Sequence, residues 1–154
     1  MGRLKRLRME AAGEGKVLMI KFTVYGEPKT KGNLSSFPFQ KKDGRLGVRT
    51  IDQNPKTKQW QGLVARVAQE HMPEDGIITG PVEINLKFYL LRPKSVSKKK
   101  RPLPTVKPDI DKLERAVLDG LTGIIYADDN LVCDKKAIKR YGDPPRVEIE
   151  VKKI

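Results

Sequence analysis

The sequence predicts an α/β (α+β) fold: a single small domain in which a mixed β-sheet of about four to five strands packs with two main helices. A chain of 154 residues has the size of one domain with a single core. Segments in which apolar and polar residues alternate, typical of half-buried strands, surround segments with apolar residues at helical spacing. No internal repeat and no linker divides the chain.

Strand patterns occur in four segments. The clearest is "VEINLKFYL" at 82–90, where every second residue is apolar, so one face of the predicted strand is buried and the other is polar. The same alternation recurs in two further predicted strands, at residues 20–25 and 146–151, and "LVCDKKAIKRYG" at 131–142 is a fourth predicted strand. The Asp-Gly pair in "KKDGR" at 41–45 predicts a small hairpin within the otherwise irregular stretch 26–53.

Two segments have helical spacing. Asn54 followed by Pro55 predicts a helix start, with Asn at the N-cap and Pro at the first helical position. The helical pattern continues to about His71, which is expected at the surface or the helix end. Its apolar residues are Trp60, Leu63, Val64, Val67 and Ala68. The second helix is predicted over 108–122, with an apolar stripe formed by Ile110, Leu113, Val117 and Leu121.

The charge is strongly positive. The formal net charge is +13, and a single domain this basic indicates a polyanionic partner, with nucleic acid as the first candidate. A proline-containing loop between the predicted strand and second helix, "RPKSVSKKKRPLPTVKP" at 92–108, holds more than half of this net charge and contains no acid. The run of like charges and the prolines argue against regular structure there. The alternative is a soluble protein with a solvated basic surface.

Several function classes are excluded or disfavoured by composition. The single cysteine, Cys133, excludes an intrachain disulfide and fits a cytoplasmic location; its apolar neighbours predict a core position rather than a nucleophile. No run of 18 apolar residues is present, so no membrane partner is expected. Residues 1–18 are predicted to be a disordered basic N-terminal extension, with Met19 as the natural start, and residues 19–154 the folded domain.

An unusual acidic motif opens the second predicted helix. In "KPDIDKLERAVLDGL", at 107–121, Asp109 and Asp111 follow a proline. Residues two apart on a regular helix do not face each other, so the two carboxylates can share a ligand only if Asp109 lies at the N-cap or before it. Two interpretations remain open. Aspartates are favoured at helix starts without any ligand, and they are also the oxygen donors that Mg²⁺ prefers.

A second acidic pair follows the helix in "ADDN", at 127–130. Asp128 and Asp129 suit a polar turn, and Arg115 can simply pair with Asp111 at i+4. Carboxylates beside a basic loop nevertheless disfavour DNA binding unless a cation bridges acid and phosphate. A bound Mg²⁺ would activate water and stabilise charge on the phosphate, and Arg115 or Lys112 could add to that stabilisation.

At these residues the sequence resembles the RusA family of Holliday junction resolvases, mostly encoded by prophages. The family pattern is an Asp-x-Asp motif that opens a helix, followed about twenty residues later by an Asp-Asp pair before a strand. The resemblance extends from about Val82 to Val151, with a weaker match in "FTVYGEPKTKG". It identifies residues 19–154 as a RusA-like endonuclease domain.

The resemblance implies roles for individual residues. Asp109, Asp111 and Asp129 correspond to the metal-binding aspartates, and the adjacent Asp128 is expected to support them in holding the metal. Arg115 occupies the position of an important family lysine. Arginine keeps the positive charge but does not act as a proton donor, so stabilisation of the transition state carries over and a general-acid role does not.

The implied activity is that of a Mg²⁺-dependent homodimeric endonuclease, with Mn²⁺ as a possible substitute, which nicks a four-way DNA junction symmetrically. No small-molecule cofactor is expected. The residues expected to contact the DNA backbone are Lys29, Lys31, Lys98, Lys99, Lys100, Arg101 and Lys112. Three alternatives remain: a non-catalytic nucleic-acid-binding protein, a nuclease for flaps, forks or RNA, and an enzyme that has lost activity.

Overall fold

The computed structural model describes residues 9–10, 16–30, 34–52 and 55–154. In chain order, the secondary-structure elements are β1 (Met9–Glu10), β2 (Lys16–Val17), β3 (Met19–Tyr25), β4 (Leu34–Gln40), β5 (Leu46–Asp52), α1 (Pro55–Gln69), β6 (Val82–Leu90), α2 (Ile110–Leu121), β7 (Val132–Tyr141) and β8 (Arg146–Lys153). A short 3-10 helix, Asp129–Leu131, precedes β7.

A mixed four-stranded sheet forms the centre of the domain, with strand order β3-β8-β6-β7. β8 pairs antiparallel with β3 and with β6, whereas β7 is parallel to β6 and forms one edge. A parallel pair requires a crossover connection, and residues 91–131, which include α2, supply it. The predicted fold class, a mixed sheet packed with two helices, is confirmed.

The core lies between one face of the sheet and the two helices. The alternation along β6 puts Ile84, Leu86 and Phe88 in the core and leaves Asn85 and Lys87 on the opposite face. From the helices, Trp60, Val64, Leu113 and Val117 pack onto this apolar face. The sequence pattern therefore places the second helix, with its aspartates, on the covered side of the sheet.

Gly120 is the point of closest approach between α1 and α2. A Cβ built at Gly120 would lie 2.9 Å from Val64 Cγ1, 3.1 Å from Val64 Cβ and 3.2 Å from the carbonyl oxygen of Gln61. Two of these neighbours belong to the backbone or are fixed to it, so they cannot rotate away. Gly62, on α1, has no atom within 4 Å of the same built position.

Gly120→Ala is therefore expected to lower the free energy of unfolding by about 1–2 kcal/mol, because overpacking costs more than the helix propensity that alanine gains. The matched variant Gly62→Ala should raise it by about 0.5–1 kcal/mol, since only propensity changes there. Urea unfolding followed by circular dichroism measures both. Equal effects at the two positions would show that the helices do not pack closely at Gly120.

One core assignment made from the sequence is wrong. Cys133 is exposed. It lies on the edge strand β7 at an irregularity in the register, where Val82 pairs with Val132 but Glu83 already pairs with Asp134. The extra residue has no partner on β6 and does not follow the inward alternation of its apolar neighbours.

The predicted hairpin at 41–45 is present. β4 and β5 pair antiparallel, and Gly44 adopts a positive φ of 83° in the turn that joins them. Within the segment 1–18, β1 and β2 pair antiparallel; the disordered extension and the start at Met19 stay predictions. Asn54, the predicted N-cap of α1, and the predicted DNA contact Lys31 lie outside the described residues.

Candidate active site

Asp109 stands at the start of α2 but does not cap it. It is the N-cap residue, with extended backbone angles (φ −71°, ψ 141°), and its side chain accepts no capping hydrogen bond. Its Oδ2 lies 3.8 Å from Lys112 Nζ, and about half of each side chain is exposed. An exposed pair at this distance contributes little stability. The Asp109 carboxylate is thus available to a ligand.

Asp111 lies in the first turn of α2 and is exposed. Acidic side chains are favoured at this end of a helix by the helix dipole. Arg115, one turn later, is also exposed. Within the described part of the chain, the two side chains form no ion pair with each other. The i+4 pairing that would have explained both residues structurally is absent, and the carboxylate and the guanidinium face solvent on the same stretch of helix.

Two lysines of β7 fix the direction of α2. Lys139 Nζ donates hydrogen bonds to the carbonyl oxygens of Val106 (2.8 Å) and Pro108 (2.9 Å), just before the helix. Lys135 Nζ lies 2.7 Å from Oε2 of Glu114, a largely buried carboxylate on the helix. Successive positions along β7 therefore meet earlier positions on α2, so the two elements are antiparallel. Asp109 lies at the end of the sheet where β7 finishes.

Asp128 and Asp129 lie at the other end of α2, immediately before β7 begins. Asp128 caps the 3-10 helix, and its Oδ1 accepts a hydrogen bond of 3.5 Å from the backbone N–H of Asn130. Both aspartates are exposed. The sequence-based alternative, that this pair serves a polar turn, holds for Asp128.

The pKa of the buried Tyr126 is affected by these acids. Its hydroxyl donates a hydrogen bond of 3.0 Å to the carbonyl oxygen of Leu118. Burial raises the pKa of Tyr126 well above its ordinary value, a hydrogen bond with Thr122 opposes the shift, and the carboxylates of Asp129, Asp119 and Asp128 raise the pKa further. Tyr126 thus lies within the electrostatic influence of three acids, near the C-terminal end of α2.

The two aspartate groups do not converge on one chain. Asp129 precedes Lys135 by six residues, which span roughly 15 Å, and Asp111 lies a further turn of helix beyond Glu114. Mg²⁺ requires oxygen ligands at about 2 Å. In agreement with this, the described residues contain no group of three or more His, Cys, Asp or Glu side chains placed to hold a metal ion.

A cleft of about 250 Å³ is lined by Lys107 and Pro108, the two residues directly before Asp109 in the chain. One wall is the segment 27–30 after β3, which brings Lys29; the other is the segment that leads into α2, which brings Lys107. Lys29 is held 3.3 Å from Glu27. A neighbouring cleft of about 550 Å³ shares Leu91 and Tyr141 with the first and adds further cations, namely Arg92, Lys98 and Arg140.

The basic loop is organised by one arginine. The Arg92 guanidinium stacks over the Tyr141 ring, 4.2 Å from its centroid, and donates hydrogen bonds to the carbonyl oxygens of Ser97, Arg101 and Pro102. Arg101 in turn donates to the Tyr141 hydroxyl (3.3 Å). The loop has no helix or strand, as predicted. Its backbone is nevertheless held at the end of β7 by these contacts of Arg92 and Arg101 with Tyr141, and we call it the pinned loop. Lys98, Lys99 and Lys100 project from it into solvent.

Sequence reasoning missed the positioning role of three residues. In the sequence, Arg92 contributes only to the charge of the loop, and Lys139 and Lys135 belong only to a strand pattern. A lysine on the otherwise apolar helix-facing side of a strand is the one signal that could have indicated a tertiary partner.

No helix in the described ranges is long and apolar enough to cross a membrane.

Comparisons with known proteins agree with the motif. A family model described as "Endodeoxyribonuclease RusA" matches residues 26–152. An "Uncharacterized protein YqaN" of Bacillus subtilis (strain 168) is 40% identical over 144 residues, which cover 88% of this chain and 96% of that protein. The family match includes both aspartate groups, the basic loop and the whole sheet except for its first edge strand, and the chain therefore belongs to the RusA family of endodeoxyribonucleases.

Proposed function

We propose that the chain is a Mg²⁺-dependent, structure-selective endonuclease that resolves four-way DNA junctions by paired symmetric nicks, acting as a homodimer in the cytoplasm. The observation that carries this proposal is the start of α2. An N-cap aspartate that does not cap, followed two residues later by an exposed aspartate, leaves two carboxylates for a ligand beside a cleft with lysines on both walls.

The donor set fits the metal. Asp109 and Asp111 offer hard oxygen ligands, Mg²⁺ commonly binds one or two protein carboxylates together with water and substrate phosphate, and Mn²⁺ accepts the same ligands. The chemistry that a bound Mg²⁺ contributes to phosphodiester hydrolysis is a more nucleophilic water and neutralisation of charge on the phosphate. Arg115, one turn along and free of Asp111, adds a fixed positive charge for the transition state.

The basic side chains supply affinity. The pinned loop, with Lys98, Lys99, Lys100 and Arg101, is attached to the end of β7, which is the end of the sheet where Asp109 and Asp111 lie. Lys29 is on the cleft wall and Lys112 is beside Asp109. Contacts to phosphates position DNA without reading its sequence. A strand held there would present its backbone to Asp109 and Asp111.

A homodimer gives Asp128 and Asp129 a place in the same mechanism. On one chain they lie too far from Asp111 to share an ion with it, so in this proposal they reach the ion held by Asp109 and Asp111 of the second chain. Two chains related by two-fold symmetry would then build two equivalent sites, which suits a four-way junction with two equivalent strands to cut.

Strand cleavage of a synthetic four-way junction in Mg²⁺ tests the proposal, beside a linear duplex of the same sequence, a flap and a replication fork. We expect paired nicks in the junction, a much slower reaction on the linear duplex, and no reaction in EDTA. Preferential cleavage of flaps or forks would instead indicate a nuclease for other branched DNA. Tight binding without cleavage in either Mg²⁺ or Mn²⁺ would overturn the enzyme assignment.

A further inference from the structure

The β4–β5 hairpin stands apart from the domain. Its strands pair only with each other and form a separate two-stranded sheet. None of the described hairpin side chains belongs to the hydrophobic core or packs against it. An isolated two-stranded hairpin is at best marginally stable in water, so a hairpin of this kind gains stability from whatever covers it.

The hairpin exposes apolar side chains on both faces, and the face with Leu46 and Val48 is more exposed than the face with Phe39, which is 41% exposed. Phe39 lies over its cross-strand partner Gly47, where a Cβ would come within 2.8 Å of the ring. On the opposite face, Leu46 is 81% exposed and Val48 is 70% exposed, and the exposed Pro38 pairs with Val48. Residues 46 and 48 point the same way because alternate residues share a face of a strand.

The hairpin begins beside the candidate active site. Thr57, buried at the start of α1, donates a hydrogen bond from its hydroxyl to the carbonyl oxygen of Thr30, so the two ends of the segment 30–57 are tied together at the domain surface. Thr30 also lines the cleft that Lys107 and Pro108 line, directly before Asp109 in the chain. Strands of seven residues reach roughly 24 Å from that anchor.

We propose that this hairpin is a DNA-binding arm that packs its more exposed apolar face, with Pro38, Leu46 and Val48, against an unstacked base pair at the branch point of the junction. Proteins that deform DNA insert apolar side chains of this kind between base steps. A four-way junction exposes base-pair faces where its arms meet, whereas a linear duplex does not. The arm thus contributes selectivity for branched DNA. This role depends on the proposed function, in which the substrate is a four-way junction.

Charge decides between DNA and a second copy of the chain as the occupant. Three exposed cations surround the tip, Lys41, Lys42 and Arg45, and only Arg45 has an acidic neighbour, Asp43, at 3.9 Å. Two hairpins packed against each other would bring these same cations of both tips together, where they repel, whereas a polyanion is attracted to them. A two-stranded ribbon also has a width that DNA grooves admit.

The test uses Leu46→Ser/Val48→Ser in the full-length protein. Competition binding without divalent metal gives the ratio of affinities for a four-way junction and for a linear duplex, and a fluorescent adenine analogue at the branch point reports stacking. Wild type should change the fluorescence of the analogue. The double variant should lose this change, and its ratio of junction affinity to duplex affinity should fall roughly tenfold. The reason is that the two serines bury less apolar surface against the base pair than leucine and valine do. Met72→Ser, 45% exposed and outside the hairpin, should match wild type.

Each other outcome counts against the arm in a distinct way. An unchanged ratio and unchanged fluorescence response, with junction cleavage intact, would overturn the arm and leave the proposed function standing. A variant that changes the sedimentation mass but not the ratio would show that the hairpin joins two copies of the chain, which also overturns it. A wild type without preference for the junction would overturn the proposed function and the arm together.

Discussion

Asp111→Asn is expected to lower the rate of junction cleavage at least roughly a hundredfold, because an amide is a poor ligand for Mg²⁺ and the lost metal contribution to transition-state stabilisation amounts to several kcal/mol. Junction affinity should stay within about twofold of wild type or rise slightly, since the substitution removes a negative charge near the phosphates. Single-turnover cleavage and metal-free binding measure the two quantities separately.

The fold should tolerate this substitution. Asp111 is exposed, and asparagine in the first turn loses only the interaction with the helix dipole, about 0.3–1 kcal/mol. Asp75→Asn, an exposed acid remote from α2 in the chain, is the matched control and should leave cleavage unchanged. Full activity of Asp111→Asn would mean that the two aspartates serve only the helix, and the metal-carboxylate mechanism would have to be abandoned.

The separation of the two aspartate groups extends this prediction to the dimer. Asp129→Asn should also be inactive. If each metal is held by Asp111 of one chain and Asp129 of the other, a mixed dimer of the two inactive variants has one site with both substitutions and one intact site. An equimolar mixture should therefore recover about a quarter of wild-type nicking, because half of the dimers are mixed and each has one working site of two.

Differently tagged variants show whether mixed dimers form. If they form and remain inactive, the third carboxylate is not shared between chains. That outcome would leave the Asp109–Asp111 pair in place, and it would require either a movement of the segment around Asp129 or a metal held without it.

The elements of the fold followed from local patterns. Alternation located β6 and β8, and the helical stripe located α2 to within two residues of its bounds, Ile110–Leu121. The motif also predicted that Asp109 would be at or before the N-cap. These features are set by neighbours in the chain, through the periods of strand and helix and the preferences of cap positions.

The assembly of the site depended on tertiary contacts that no local pattern contains. Spacing along the chain brings Asp129 within twenty residues of Asp109, but the helix between them carries the two to opposite ends. That direction is fixed by Lys135 and Lys139, whose partners lie on α2 and just before it. The prediction that Cys133 lies in the core was wrong for a related reason. Its exposure follows from its position on an edge strand and from an irregular register, and neither is visible in the local sequence.

The basic loop carries the second large prediction. Replacing Lys98, Lys99 and Lys100 together by serine should weaken binding of junction and linear duplex alike, by roughly tenfold to a hundredfold at low salt, because phosphate contacts add affinity without distinguishing the two. The slope of log K against log salt concentration should become shallower by up to about 2.7, or 0.9 for each lost contact. Fluorescence anisotropy between low and moderate salt measures both.

Two comparisons make the loop's contribution specific. The face of the sheet away from the two helices carries three exposed lysines, Lys21, Lys87 and Lys136. Their triple serine variant removes the same charge as the loop variant and should leave the salt slope almost unchanged. Arg92→Lys keeps the charge but loses the stack on Tyr141 and the forked bonds to the loop carbonyls, so it should lower affinity without changing the slope. If the control triple variant weakens binding as much as the loop variant does, DNA responds to the net charge of the whole surface, and the loop pinned by Arg92 has no special place in binding.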